Sequence, residues 1–450
     1  MMIQKLKLKI IKKLSKNKKN VAKILTGTFL AQGISLITLP IFTRIYGAEV
    51  FGTLALLSAI SIIINSFSDL GLTNAIMTED SEKRVIKIYK VISSIVAPIS
   101  LFTGILIVFY HGIFLPKLEV NVLFLFSFVV ISTFTSKQIH VCYTWLNRNE
   151  RYNILMKNPL ISGIILGAVG ISLGLMGFVK YGYFIASILG QIATLIHMKR
   201  FLPKNMFTLN VQDYRDVVTT NRKFVVFQLP TNILVSFKNQ LPQLLISTLW
   251  GVGMLGYYSI TVRLLQLPIK LIANSLGRVF FQTTSVMYRE GKNIGDYVYK
   301  TITTAMKIGF LPMFILMSLG DIIVVTILGT DWEIAGYFIQ ILSIQYFFMF
   351  LTFTTRGVSI TIGKQKYAMI SNCVQVVAYI IGATVGRYVF NDIFIALILM
   401  SSLFITINII YYCNLFKVMG VSWIKYLIHI IFNIYMMLTL TAILRLWIFN

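Results

Sequence analysis

Acidic residues are scarce in this chain: 15 Asp and Glu stand against 41 Lys and Arg over 450 residues, a formal net charge of +26. Cysteine (three), histidine (four) and proline (nine) are few as well. Cys142, Cys373 and Cys413 fall inside apolar runs without metal-ligand spacing, so neither a disulfide framework nor a zinc site is expected, and no cofactor. There is no G-x-x-x-x-G-K-[ST] stretch, and the longest polar connection, between Lys199 and Lys223, is only about 25 residues. A soluble catalytic or nucleotide-binding domain has no room, so the chain is not expected to be an enzyme. Uphill movement of a passenger would have to draw on an ion gradient or on the passenger's own. A cleavable leader is not expected either: "MMIQKLKLKIIKKLSKNKKN" holds eight lysines and no continuous apolar core.

Apolar sequence is what the chain has in abundance. It is 57% hydrophobic and 12% charged, with a mean hydropathy of +0.79, a composition that predicts an all-α polytopic membrane protein. Runs of about 20 apolar residues, the length that crosses about 30 Å of hydrocarbon, recur about thirteen times. They begin near Leu25, Phe51, Ile88, Val120, Asn158, Tyr181, Phe224, Met254, Thr301, Ile334, Ala368, Ile393 and Trp423. For the last, three placements stand open: spanning, lying at the interface, or packing outside a twelve-helix core. Ile3, Leu6, Ile10 and Leu14 share a face among the N-terminal lysines, which fits an interfacial helix on anionic lipid or a basic tail equally well.

The basic connections alternate. "SEKRVIKIYK", "LNRNERYNILMK", "HMKRFLPKNMF…NRK", "YREGKN" and "GKQK" fall on one side, while the other side holds only Arg44, Lys117, Lys180 and Arg387. This asymmetry predicts a cytoplasmic N-terminus and explains the net charge by topology, without nucleic acid. "IYGAEVFG" after the first run and "LWGVGMLG" after the seventh share the pattern aromatic-Gly-x-x-x-apolar-Gly at an offset of 204 residues. Six spans per half preserve orientation, so the expected repeat is parallel, about an axis along the membrane normal. The expected organisation is a basic segment at 1–22, an N-lobe of spans 1–6 at 23–200, a cytoplasmic linker at 201–222, a C-lobe of spans 7–12 at 223–417 and an additional helix at 418–450.

Polar residues inside the spans carry the functional reading. In the eighth span Arg263, Gln266, Lys270, Asn274 and Arg278 fall on one stripe of a helix advancing 100° per residue. Three cations at about 2.5–3.5 kcal/mol each would barely be offset by about twenty apolar residues, so the stripe is expected to face a wet interior. Snorkelling is the bland alternative for Arg263 and Arg278. Pro268 removes a backbone donor beside Lys270, and a kink is expected there. The seventh span adds Asn232, Asn239 and Lys238; the fourth, Thr133 and Lys137; the tenth, Gln345, Thr352, Arg356 and Ser359; the second, Ser61, Asn65 and Asp69. Such hydroxyls and amides serve as helix-packing glue or as ligand contacts. The cations Lys137, Lys238, Arg263, Lys270, Arg278 and Arg356 outnumber the acids Asp69 and Asp321, which favours an anionic passenger. The two acids read as ion-coupling or gate groups, or as structural salt bridges.

"GTFLAQGISLITLPIFTRIYGAEVFGTLALLSAI" with "DLGLTNAI" resembles the opening of polysaccharide transporters, the Wzx-type O-antigen flippases of the multidrug/oligosaccharidyl-lipid/polysaccharide exporter superfamily. The matching residues are Gln32, Pro40, Arg44, Tyr46, Gly47, Phe51, Gly52 and Asp69 to Leu72. "LGTDWEIAGYFIQIL", with Gly329 and Trp332, resembles the hairpin before that family's tenth span. The resemblance implies two six-helix bundles around a central cavity and alternating access. It implies a passenger of undecaprenyl-pyrophosphate-linked oligosaccharide, an O-antigen or capsule unit, moved outward, with membrane lipids, a polysaccharide polymerase and chain-length proteins as partners. The pyrophosphate is then expected on Lys270, Arg263 or Arg278 with Arg356, Lys238 and Lys137, and the sugars on Asn232, Asn239, Asn274 and Gln266. Two alternatives are a drug/cation antiporter of the same superfamily, which calls for acids in the cavity, and a membrane-embedded polymerase or ligase, which calls for a larger outer loop.

Overall fold

The computed structural model describes residues 26–114, 121–203 and 213–449. The expected basic segment at 1–22 and much of the 201–222 linker lie outside these residues. The described residues form thirteen long helices and no strand: α1 (Thr26–Ile45), α2 (Ala48–Asn65), α3 (Glu82–Phe114), α4 (Val122–Arg148), α5 (Tyr152–Leu175), α6 (Gly182–Lys199), α7 (Leu229–Trp250, preceded by a π-helical turn at Phe224–Gln228), α8 (Val252–Arg289 in three continuous parts), α9 (Gly295–Leu328), α10 (Glu333–Thr354), α11 (Gln365–Tyr388), α12 (Ile393–Val418) and α13 (Trp423–Phe449). Ten described helices are long and apolar enough to cross a membrane; α6, α7 and α8 fall short, the last two through the polar residues they carry. Phe109, Leu175 and Trp447 stand 78%, 77% and 79% exposed, a surface suited to lipid rather than water.

Helix ends are set by local chemistry. Asn121 opens α4 by accepting from the Leu123 amide at 2.8 Å, and Asp392 opens α12 by accepting from Phe394 at 2.6 Å. Gly251 (φ 90°) separates α7 from α8, because the left-handed region is open to glycine without a Cβ clash.

The chain divides into two compact units. One takes the described residues through Tyr46 together with Ile60–Ile233; the other takes Gly47–Ala59 together with the chain from Leu234 onward. The division therefore falls within α2 and at the start of α7, away from the 201–222 linker. Within the first unit Tyr46 is fully buried and its hydroxyl donates to the Gly170 carbonyl at 2.6 Å. A side chain at Gly182 would strike that hydroxyl at 2.6 Å.

The second unit shows why the start of α2 belongs with it. A Cβ on Gly52 would lie 1.8 Å from the Val252 carbonyl oxygen, and one on Gly256 would lie 1.9 Å from the Ala48 carbonyl oxygen. The two contacts are reciprocal at the 204-residue offset of the repeated motif, so each motif's final glycine lets the other helix approach to backbone contact. Trp332, 2% exposed, closes the cluster edge-on to Phe51 at 5.3 Å and to Tyr257 at 5.6 Å.

The thirteenth helix pairs with α9 along its length. Tyr299, Met306, Ser318 and Asp321 meet His429, Asn433, Thr441 and Arg445 in the same order, so the two helices run parallel. The paired stretch runs from Tyr299 to Asp321 on α9, about 33 Å at 1.5 Å per residue, and from His429 to Arg445 on α13, about 24 Å. Its strongest tie is the Arg445–Asp321 ion pair at 2.6 Å. Replacing Arg445 by Gln is expected to lower stability by about 1.5–3 kcal/mol, the range for hydrogen bonds to charged groups, read as a lower melting temperature in detergent. No change would mean that α13 is held by apolar packing alone.

Candidate functional site

The polar stripes of α2 and α4 face each other inside the first unit. Thr133 donates to Ser61 at 3.0 Å, Asn65 donates to Ser136 at 2.8 Å, and the Lys137 ammonium donates to the Asn65 carbonyl at 2.9 Å. That ammonium is also 2.8 Å from Asp69, both side chains being about 5% exposed. Asp69 further accepts from the Gly71 amide at 3.0 Å and from the Thr73 hydroxyl. Lys137, expected among the cavity cations, is thus neutralised in a buried pair. Asp69 lies in the turn beyond α2 rather than on the second span, and it is held by a cation and two hydrogen bonds. Asn232, expected as a sugar contact, accepts from Gln228 one turn earlier at 2.9 Å. In each case a neighbouring group of the protein takes up the polarity expected for a ligand.

The second unit contains a cavity of about 480 Å³ among α7, α8, α10, α11 and α12. From α7 come Lys238, Asn239, Gln240 and Gln243, from α8 Tyr258 and Gln266, and from α10 Gln345, Tyr346 and Thr352, with Arg356 and Ser359 just beyond. The opposite wall is Asn372, Gln375 and Tyr379 of α11 with Asn408, Tyr411 and Tyr412 of α12. Among the described residues, no Asp or Glu lines it.

Many of these side chains are fixed by one another. Lys238 donates to Asn372 at 3.1 Å, Ser401 donates to Gln345 at 2.8 Å, Gln345 donates to the Tyr379 hydroxyl at 3.3 Å, and the Thr355 and Tyr412 hydroxyls are 2.7 Å apart. Arg356 was expected on the tenth span. It sits instead in the break after α10, because Gly357 (φ 86°) turns the chain there, and it is exposed at the cavity.

α8 carries the cationic stripe. Past Pro268, where the backbone donor is missing, the helix widens to a π-turn at Ile269–Ala273 that includes Lys270; the expected irregularity is a bulge in a continuous helix. Arg263, Gln266, Lys270, Asn274 and Arg278 are all half-buried, while the exposed Ile272 and Val279 occupy another face. Gly277 has room for no Cβ, which would sit 2.1 Å from the Phe353 carbonyl, so α8 closes on α10. This approach brings Arg278 into electrostatic range of Arg356, just as Lys270 is within range of Arg263.

Of the expected site residues, Lys238, Asn239, Gln266 and Arg356 line the cavity. Arg263, Lys270, Asn274, Arg278, Asn232 and Lys137 do not. Asp321, like Asp69, is in an ion pair away from it. The α11 wall escaped the sequence reading. Its signal was present, since Ser371, Gln375 and Tyr379 recur every four residues, but an uncharged stripe stands out little in an apolar run.

This is a multi-pass, all-helical membrane protein with a polar cavity in its second unit. The family model described as "Polysaccharide biosynthesis protein" matches residues 41–336. The chain belongs to that family. It is 23% identical over 328 residues, 71% of its own length, to the succinoglycan biosynthesis transport protein ExoT of Rhizobium meliloti, and it spans 63% of that relative's length. Its fold is similar to that of the lipid II flippase MurJ in an inward closed conformation, with a TM-score of 0.68 at 15% identity, covering 94% of this chain and 99% of the other. It is also similar in fold to an inward-facing multidrug resistance MATE family transporter, with a TM-score of 0.55 at 14% identity, covering 89% and 96%.

Proposed function

We propose that this protein is a flippase that carries a lipid-linked oligosaccharide, with an anionic phosphate linkage, from the cytoplasmic to the outer leaflet of a bacterial inner membrane by alternating access. The observation that carries the reading is a polar cavity lined by Lys238 and Arg356 and, among the described residues, by no carboxylate, with Arg278 of α8 within electrostatic range of Arg356. Two guanidinium groups repel each other unless an anion comes between them, and a phosphate oxygen array matches their forks. Lys270 and Arg263, further along α8, extend the same positive stripe and serve the phosphate linkage; the lipid tail stays in the bilayer. Family membership and the relative named for succinoglycan transport support a glycan passenger. An antiporter of cationic drugs is disfavoured by the sign of the cavity.

Replacing Lys270 by Ala is expected to reduce surface polysaccharide at least about tenfold, the loss of one charge-assisted contact of roughly 1.4 kcal/mol or more, with expression and melting temperature retained. Deleting the gene should strand complete lipid-linked units on the cytoplasmic face, seen by lipid extraction, with drug resistance unchanged. Normal polysaccharide output from the Lys270 variant would remove α8 from the pathway.

A further inference from the structure

The cavity of the second unit has features that a phosphate linkage alone does not require. Gln375 is 4% exposed and donates to Ser371 at 3.1 Å, while its carbonyl oxygen is buried without a hydrogen-bond partner. Whichever way the amide is turned, one of its two polar atoms is left over. A buried amide group facing a cavity calls for a partner that donates and accepts, which a hydroxyl does. Lys238 uses one N–H on Asn372 and keeps two for a further acceptor. Tyr379 and Phe404 stack at 6.1 Å and 12°, giving part of the wall an aromatic surface. The C–H-rich face of a sugar ring packs on such a surface. A volume of about 480 Å³ is within the range of small-ligand pockets.

We infer that this cavity is a binding site for an anionic saccharide, its phosphate or carboxylate held by Lys238 and Arg356 and its hydroxyls by Gln375 beside the Tyr379–Phe404 wall. The inference rests on the flippase reading for the source of the sugar, the glycan end of the passenger. The same chemistry would also hold a free sugar phosphate. The site differs from the α8 stripe in that Lys238, Gln375, Tyr379 and Phe404 come from α7, α11 and α12, and Arg356 from the break after α10.

The test uses the full-length protein in nanodiscs, titrated calorimetrically with glucose 1-phosphate, glucuronic acid, glucose and inorganic phosphate. The two charged sugars are expected to bind about tenfold or more tightly than glucose, and glucose 1-phosphate more tightly than inorganic phosphate. Lys238→Met and Arg356→Gln should each remove most of the charged sugars' advantage. Gln375→Leu should weaken all three sugars about two- to tenfold and leave phosphate unchanged. Unaltered melting temperatures separate these effects from misfolding, and conservative Arg356→Lys should recover part of the binding. Phosphate binding as tightly as glucose 1-phosphate, or glucose binding as tightly as either charged sugar, overturns the assignment.

A vesicle assay with lipid-linked oligosaccharide separates the two readings. Flipping that proceeds while no soluble saccharide binds or competes sinks the cavity site alone. Charged sugars that bind as expected to a protein that moves no lipid-linked substrate sink the flippase reading alone and point to free sugar phosphate as the source.

Discussion

Replacing Asp69 by Asn is expected to lower stability by about 3–5 kcal/mol, because it leaves the Lys137 ammonium buried without its counter-charge. The pair is closed at 2.8 Å, and both side chains are about 5% exposed, so neither water nor a lipid headgroup can replace the lost partner cheaply. Asn still accepts from the Gly71 amide, so the turn after α2 is preserved and the measured effect is that of the charge. Lys137→Met should cost a comparable amount, since Asp69 is then the uncompensated ion. Asp69→Asn with Lys137→Met should recover most of the loss, and the coupling is read from a double-mutant cycle of unfolding in detergent. If the double variant is as unstable as the sum of the single ones, the pair is not what holds α2 and α4 together. This outcome also bears on mechanism: a double variant that is stable and still exports polysaccharide removes Asp69 from ion coupling.

The second large effect is expected from a single methyl group. Gly52→Ala or Gly256→Ala places a Cβ within 1.9 Å of a carbonyl oxygen on the facing helix, where no rotamer can relieve the overlap. The helices must separate, and the cost should reach or exceed the upper end of the about 1–3 kcal/mol typical of overpacking. The two substitutions should behave alike, since their contacts are reciprocal. Gly253→Ala is the control, because a Cβ there meets only the Glu49 side chain at 3.8 Å, an ordinary contact. The reading is the melting temperature in detergent together with surface polysaccharide in cells. A Gly256 variant as stable and active as the Gly253 variant would show that α2 and α8 do not depend on backbone contact.

Much of the architecture was written in one dimension. The expected starts of the thirteen apolar runs lie within a few residues of most of the helices, as at Ile393 and Trp423, because a helix in hydrocarbon must satisfy its own backbone and therefore announces itself by length and apolarity. The matched glycines of "IYGAEVFG" and "LWGVGMLG" announced the internal repeat, since a close helix approach tolerates no Cβ. The excess of cations over acids in the spans was equally plain.

Which polar residue answers which is a different kind of fact. Helical spacing puts Lys137 and Arg356 on polar faces and Lys238 to the side of one, and none of this says which of them is paired. Lys137 is matched by Asp69, 68 positions earlier, and Lys238 donates to an amide 134 positions later at a cavity that no acid lines among the described residues. Composition and periodicity determined the membrane class, the helices, the duplicated motif and the sign of the interior charge, because these are properties of short segments in a low-dielectric solvent. The tertiary structure alone decided which charges are neutralised and which line a cavity, because burial and pairing depend on residues that only folding brings within a few ångströms.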